Sequence, residues 1–207
     1  MAEPVVVVDY GAGNLRSAAK ALEAAGGSVT VSGDPAVVAA ATRIVLPGVG
    51  AFAQCIGALR GRSGLETALR EAVLEQGVPF LGVCVGMQLL ADEGHEHGSY
   101  RGLGWLPGTV VRLTPDDPAL KIPHMGWNEV VENAPHPVLP SLAGIGYFVH
   151  SYRFDVADQA NCLATTDHGG GFASVVGREN ILGVQFHPEK SQAYGLGFLA
   201  GFLAWRP

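Results

Sequence analysis

The sequence is short of cysteine, of positive charge and of long apolar runs, and each scarcity excludes something. Cysteine occurs three times, at the widely spaced Cys55, Cys84 and Cys162. An odd, dispersed set does not make a disulfide framework and points to a reducing compartment. Acidic residues outnumber basic ones by 19 to 13, for a net charge of −6, which leaves no electrostatic footprint for nucleic acid or anionic lipid. No apolar run reaches the length of a membrane span. The opening Met1-Ala-Glu-Pro has neither the basic region nor the apolar stretch of a secretory signal. Internal repeats and low-complexity tracts are absent. The expectation is a soluble, cytoplasmic protein that meets neither nucleic acid nor membrane. With 207 residues and 48% of them apolar, the chain can bury a sizeable core in one domain spanning residues 1–207.

What is present is a series of short β-branched runs separated by helical patterns. Val5 to Val8 is unbroken, the mark of a strand covered on both faces in a parallel sheet. A loop to Asn14 follows, and Asn14 can cap a helix over residues 15–25 that Gly26-Gly27 ends. Residues 28–31 predict a strand, 35–41 a short helix begun by Asp34-Pro35, and 43–46 a third strand. That strand runs into Pro47-Gly-Val-Gly50, and a helix follows over residues 51–60. Ser63 and Glu66 have the spacing of a capping box for a helix running to Gln76. Residues 92–104 read as a polar, glycine-rich loop. After it, strands at 109–113, 127–131, 147–149, 162–165, 174–176 and 181–186 follow one another without helices, so several should pair antiparallel. A last helix covers 195–205. The pattern predicts an α/β fold of three layers, a flavodoxin-like, mainly parallel central sheet with an antiparallel β extension in the second half.

Two stretches match familiar sites only in part. Gly11, Gly13 and Asp34 fit parts of a dinucleotide fingerprint, but Arg16 stands where the third glycine would allow close helix–strand packing. His95 and His97 alternate on an extended stretch without a third ligand nearby, so a solvated loop is expected in place of a metal site.

The stretch from Phe80 to Leu90 is different. It has the form of an apolar strand, a sharp turn carrying Cys84 between Gly82 and Gly86, and the start of a helix. Small residues on both sides let a strand reverse with the middle side chain at the apex, the geometry of a nucleophile elbow. Taken alone, Cys84 could equally be a small buried hydrophobe. A cysteine nucleophile needs a base and a group that orients the base. His187 ends an apolar strand, Pro188 disfavours helix there, and Glu189 lies two residues on, so an extended chain would put both side chains on one face. His150 is the rival, also at a strand end, but Tyr152 stands where a carboxylate would be needed. His124 falls in a loop, and Cys55 and Cys162 have no elbow.

These residues carry a resemblance. An elbow of the form Gly-x-Cys-x-Gly in the first half and a strand ending His187-Pro-Glu189 near the end resemble the class I (triad) glutamine amidotransferase family. Six segments taken in order resemble the branch of that family that feeds ammonia to imidazole glycerol phosphate synthases. They begin at Asp9, Pro47, Gly82, Pro123, Tyr147 and Gly183. Val85 departs slightly from the family, where leucine is more usual.

The resemblance implies roles. Cys84 attacks the carboxamide of glutamine, His187 moves the proton, and Glu189 orients His187. Backbone N–H groups of Val85 and of the Gly48–Val49 loop hold the oxyanion. Gln88 and Glu96 bind the amino-acid end of glutamine, together with the backbone of His150, Ser151 and Tyr152. It also implies a partner, a (β/α)8-barrel cyclase subunit forming a heterodimer, with Asn14, Trp127, Tyr147 and Lys190 at the interface. No cofactor or metal is implied. Two other readings stay open at this point: a glutaminase serving another synthase, such as one that makes pyridoxal phosphate, and a non-catalytic flavodoxin-like binding module. A free-standing cysteine hydrolase would differ from all of these by turning over rapidly alone.

Overall fold

Val5 to Val8 form the buried core of the first strand, β1 (Glu3–Val8), in the computed structural model, which describes residues 2–139 and 144–207. The helix α1 (Leu15–Ala24) leads to β2 (Gly27–Ser32), and α2 (Pro35–Ala39) to β3 (Ile44–Gly48). Next come α3 (Phe52–Gly61) and α4 (Leu65–Arg70), the latter opening into a π-helical turn over Glu71–Glu75. The strand β4 (Phe80–Cys84) passes directly into the single turn α5 (Val85–Gln88). The second half holds the two-residue strands β5 (Glu93–Gly94) and β6 (Tyr100–Arg101), then β7 (Gly108–Arg112), β8 (His124–Glu132), β9 (Gly144–His150) and β10 (Tyr152–Val156). It closes with β11 (Cys162–Asp167), β12 (Gly171–Arg178), β13 (Ile181–Val184), a 3-10 turn over Pro188–Lys190 and α6 (Gln192–Ala204).

The main sheet has nine strands in the order β2-β1-β3-β4-β13-β12-β11-β8-β9. From β2 to β13 all neighbours are parallel; from β13 outward they are antiparallel. Helices α1 and α6 pack together, and α2 to α4 pack with one another, which gives the helical layers around the parallel part. A second sheet, β10-β7-β5-β6, has four strands. The α/β class, the parallel core and the antiparallel extension agree with expectation.

Four local readings are corrected. Ser63 does not cap α4. Gly64 takes φ 78° directly before the helix, which breaks the spacing a reciprocal cap needs, and Glu66 pairs with Arg60 instead. Asn14 precedes α1 but its side chain makes no capping bond. Residues 93–94 and 100–101 of the supposed loop add strands to the small sheet. His124 lies in no loop: it is the first residue of β8 and pairs with His150. The strand β10 was not anticipated, because only Ser151 separates it from β9. The chain leaves the large sheet and enters the small one across that single residue.

This topology places the chemistry. Parallel register sets Gly48 beside Cys84 and Val83 beside Val184, so the carboxyl ends of β3, β4 and β13 lie side by side. That is the edge where open α/β sheets bind ligands.

Candidate active site

Cys84 sits at the apex of the β4–α5 turn with φ 56° and ψ −111°, a conformation that side-chain-bearing residues rarely adopt. The glycines on either side make the turn possible. A Cβ at Gly82 would lie 2.5 Å from the Gly86 carbonyl oxygen, and one at Gly86 would collide with the Leu46 carbonyl of β3. The helix after the cysteine is one turn long, so its macrodipole is small. The polarity it offers the sulfur is that of its first free N–H groups.

His187 follows β13 with extended backbone, as the next residue, Pro188, requires. Its Nδ1 lies 2.9 Å from Glu189 Oε1. The two meet because Pro188–Lys190 forms a 3-10 turn, not through the continued extension the sequence suggested. Burial alone would lower the basicity of the ring, but Cys84 and Glu189 outweigh it and raise the pKa to about 9. The Nε2 is buried and lacks a hydrogen bond of ordinary geometry, yet Cys84 still raises the basicity of the ring, first as a hydrogen-bonding neighbour and then through its charge.

The cysteine and histidine open into a cavity of about 330 Å³. Val49, Val85, Gln88, Glu96, His150, Ser151 and Tyr152 line it as well, together with Gly50, Pro123, Val149 and Lys190. Gly48 stays in β3 behind this wall. Glu96 accepts the Phe52 backbone N–H at 2.7 Å, which ties the supposed loop to the start of α3. The Val49 carbonyl accepts the Cys55 thiol at 3.4 Å. Burial raises the pKa of the Cys55 thiol, and that of Cys162 likewise, so both are packing residues. Among the described residues no cluster of three metal-ligating side chains occurs.

His150 is not free to act as a base. Its Nδ1 donates to the Tyr152 carbonyl at 2.8 Å, and its Nε2 faces His124 Nδ1 at 3.0 Å. Burial, only partly offset by that carbonyl, pushes its pKa down to about 3, and burial with the neighbouring His168 takes His124 to about 4. Both rings are therefore neutral at neutral pH. The His124 Nε2 then accepts from Asn128 Nδ2 at 3.2 Å, and His168 stacks on the His124 ring at 4.2 Å.

The expected interface residues fall in two places, with Lys190 also at the cavity wall. Trp127 and Tyr147 are cross-strand partners on β8 and β9, with ring centroids 5.2 Å apart, and Lys190 Nζ lies 5.5 Å from the Tyr147 ring centre. Trp127 is 60% exposed, Met125 67% and Ile145 50%, all on one face of the hairpin. Asn14 is exposed at the start of α1.

One residue of the site was missed. Gln185 is fully buried and its Nε2 lies 3.6 Å from Cys84 Sγ. No sequence signal marks it: the strand ends at Val184, and Gln185 lies in a bend, so its place two residues before His187 does not by itself put the two side chains on one side.

The chain as a whole is similar to known proteins. The model of the family described as glutamine amidotransferase class-I matches residues 6–202. A protein from Zymomonas mobilis named imidazole glycerol phosphate synthase subunit HisH is 56% identical over 98% of this chain and 96% of its own. One of the same name from Rhodospirillum rubrum is 55% identical over 98% of this chain and 99% of its own. Among solved structures, one described as a glutamine amidotransferase superposes with a TM-score of 0.73 at 21% identity, covering 95% of this chain and 98% of that one. PurLQS from Thermotoga maritima gives 0.70 at 20% identity, over 98% and 95%. Those two show the fold; the family model and the full-length relatives, carrying more than half of the same residues, show more. The chain belongs to the class I glutamine amidotransferase family.

Proposed function

We propose that the chain is the glutaminase subunit of an imidazole glycerol phosphate synthase, acting in the cytoplasm as one amidotransferase domain. The observation that carries the chemistry is the strained Cys84 beside a His187 held by Glu189 at 2.9 Å. His187, its pKa raised to about 9, is basic enough to take the proton of the Cys84 thiol as the sulfur attacks. The sulfur attacks the glutamine carboxamide carbon. The oxyanion that forms is met by the Val85 N–H and by an N–H of the Gly48–Val49 segment. His187 gives its proton to the departing ammonia. Water then cleaves the Cys84 thioester to glutamate, with His187 taking a proton from the water. Glu96 and the exposed backbone of His150, Ser151 and Tyr152 hold the amino and carboxylate ends of the substrate, with Gln88 beneath them.

Ammonia passes to a partner, a (β/α)8-barrel cyclase, which forms imidazole glycerol phosphate and aminoimidazole carboxamide ribonucleotide in histidine biosynthesis. The exposed apolar face of Met125, Trp127 and Ile145 supports docking of a partner, because a patch of that kind on a monomer usually marks an interface. Tyr147 and Lys190 sit between this face and the cavity, with Asn14 at the start of α1. The test is co-purification with the cyclase barrel, followed by a glutaminase assay with and without the acceptor nucleotide. Stable pairing and partner-dependent ammonia release are expected. Rapid turnover by the chain alone, without pairing, would point to a free-standing hydrolase.

A further inference from the structure

Two glutamine side chains are buried beneath the cavity. Gln185 is 0% exposed and Gln88 3%. A primary amide is costly to bury unless its donors and acceptors are paired, so the pairing defines what each one does. The Tyr152 carbonyl can only accept. It takes one hydrogen from Gln88 Nε2 at 3.1 Å, which fixes which end of the Gln88 amide is nitrogen. The second Gln88 hydrogen goes to Gln185 Oε1 at 2.9 Å. That in turn fixes the Gln185 amide, whose Nε2 is left facing the Cys84 sulfur at 3.6 Å. The reverse orientation would set two N–H groups against each other. The backbone N–H of Gln185 is anchored as well, donating to the Ser174 carbonyl at 2.9 Å.

We propose that Gln185 is a further catalytic residue, a fixed N–H donor to the Cys84 sulfur, and that Gln88 positions it. This rests on the glutaminase reading of Cys84. A hydrogen bond to sulfur favours the thiolate, the attacking species, over the thiol. His187 also stabilises that charge, but only while it holds its proton. It gives that proton to ammonia and regains one only as water attacks, so its charge beside the sulfur comes and goes through the cycle. Gln185 is uncharged and keeps its donor at every step. Its division of labour with His187 follows: His187 moves the proton, and Gln185 holds the sulfur. Both hydrogens of the Gln88 amide are spent inside the protein, so any contact it makes with glutamine runs through its oxygen.

The test compares wild type with Gln185→Met, which keeps the length of the side chain and removes the donor, and with Gln88→Met, which removes the group that orients it. Iodoacetamide alkylation is followed against pH, with the adduct at each cysteine quantified by mass spectrometry. His187, Tyr10 and Cys55 are the titratable groups that act on or sense Cys84. All three are unchanged in both variants, so their contributions cancel in the comparison. Wild-type Cys84 should react faster than Cys55 or Cys162. Gln185→Met should react about tenfold more slowly at neutral pH, the worth of one hydrogen bond to a charged group, and recover the wild-type rate in alkali. Gln88→Met should move in the same direction by less, and it carries the test if Gln185→Met does not fold. Wild-type alkylation across the pH range in the variants overturns this proposal alone, and so does a slowing that is equal at every pH. A wild-type Cys84 no more reactive than Cys55 and Cys162 overturns the glutaminase reading with it.

Discussion

The His187 imidazole and the Glu189 carboxylate meet at 2.9 Å with side chains only 4% and 6% exposed. In that setting the carboxylate does two things: it fixes Nδ1 as the protonated nitrogen, leaving Nε2 for the chemistry, and it helps to hold the ring as imidazolium. Glu189→Gln keeps the shape and removes the charge. The His187 titration, followed by NMR, should fall from about 9 toward its ordinary value. The glutaminase kcat should drop by about 10²-fold or more, at the lower end of what a positioned acid–base pair contributes. An unchanged His187 titration would assign the elevation to Cys84 alone.

Cys84 offers a test that separates reactivity from strain. Cys84→Ala and Cys84→Gly should both abolish glutamine-dependent synthesis by the complex while ammonia-dependent synthesis persists. The two should differ in stability. Alanine inherits φ 56° and glycine does not suffer from it, so Cys84→Gly should be more stable than Cys84→Ala by about 1 kcal/mol in urea titrations. Equal stabilities would mean that the turn relaxes once the sulfur is gone.

The parallel half was legible because its strands admit few alternatives. Val5 to Val8 and Phe80 to Val83 are continuous apolar runs closed by turn residues, and buried parallel strands have that form. The elbow alone left an even choice between nucleophile and buried thiol, and it became legible only with His187 and Glu189 near the end of the chain. The second half was harder. The strand β10 alternates correctly, with Phe154 and Val156 buried and Asp155 exposed, but no turn residue sets it off from β9. His124 reads as loop beside Pro123 and Gly126, and only pairing with β9 makes it a strand residue. Gln185 was invisible because glutamine is usually a surface residue, and its meaning depends on Gln88, which is 97 positions away in the chain.

The outer face of the β8–β9 hairpin separates docking from folding. Trp127 is 60% exposed, so Trp127→Ala should change the stability of the isolated chain by less than about 0.5 kcal/mol. Its affinity for the proposed cyclase partner should fall by about thirtyfold, the loss typical of an aromatic anchor. Lys190 touches both this face and the cavity through Tyr147. Lys190→Ala should therefore weaken partner stimulation of glutaminase more than it weakens affinity. Isothermal titration and a coupled glutamate assay read the two effects separately, and a variant unchanged in both would remove Lys190 from the link.

Stability should respond to pH in two opposite ways, each traceable to named rings. His124 and His150 have folded-state pKa values lowered to about 4 and about 3, against 6.5 when unfolded. Between those limits the unfolded chain binds protons that the native chain refuses, so stability falls as pH drops below about 6.5. His187 is raised to about 9, so its contribution is complete below 6.5 and is lost as pH rises through 9. The melting temperature of the wild type should therefore decline on both sides of neutrality. His124→Asn should flatten the acid limb without touching the alkaline one, and Glu189→Gln should flatten the alkaline limb without touching the acid one. If either substitution alters both limbs alike, the two histidine sites are coupled by charge, since the nearby His187 already adds to the lowering at His150.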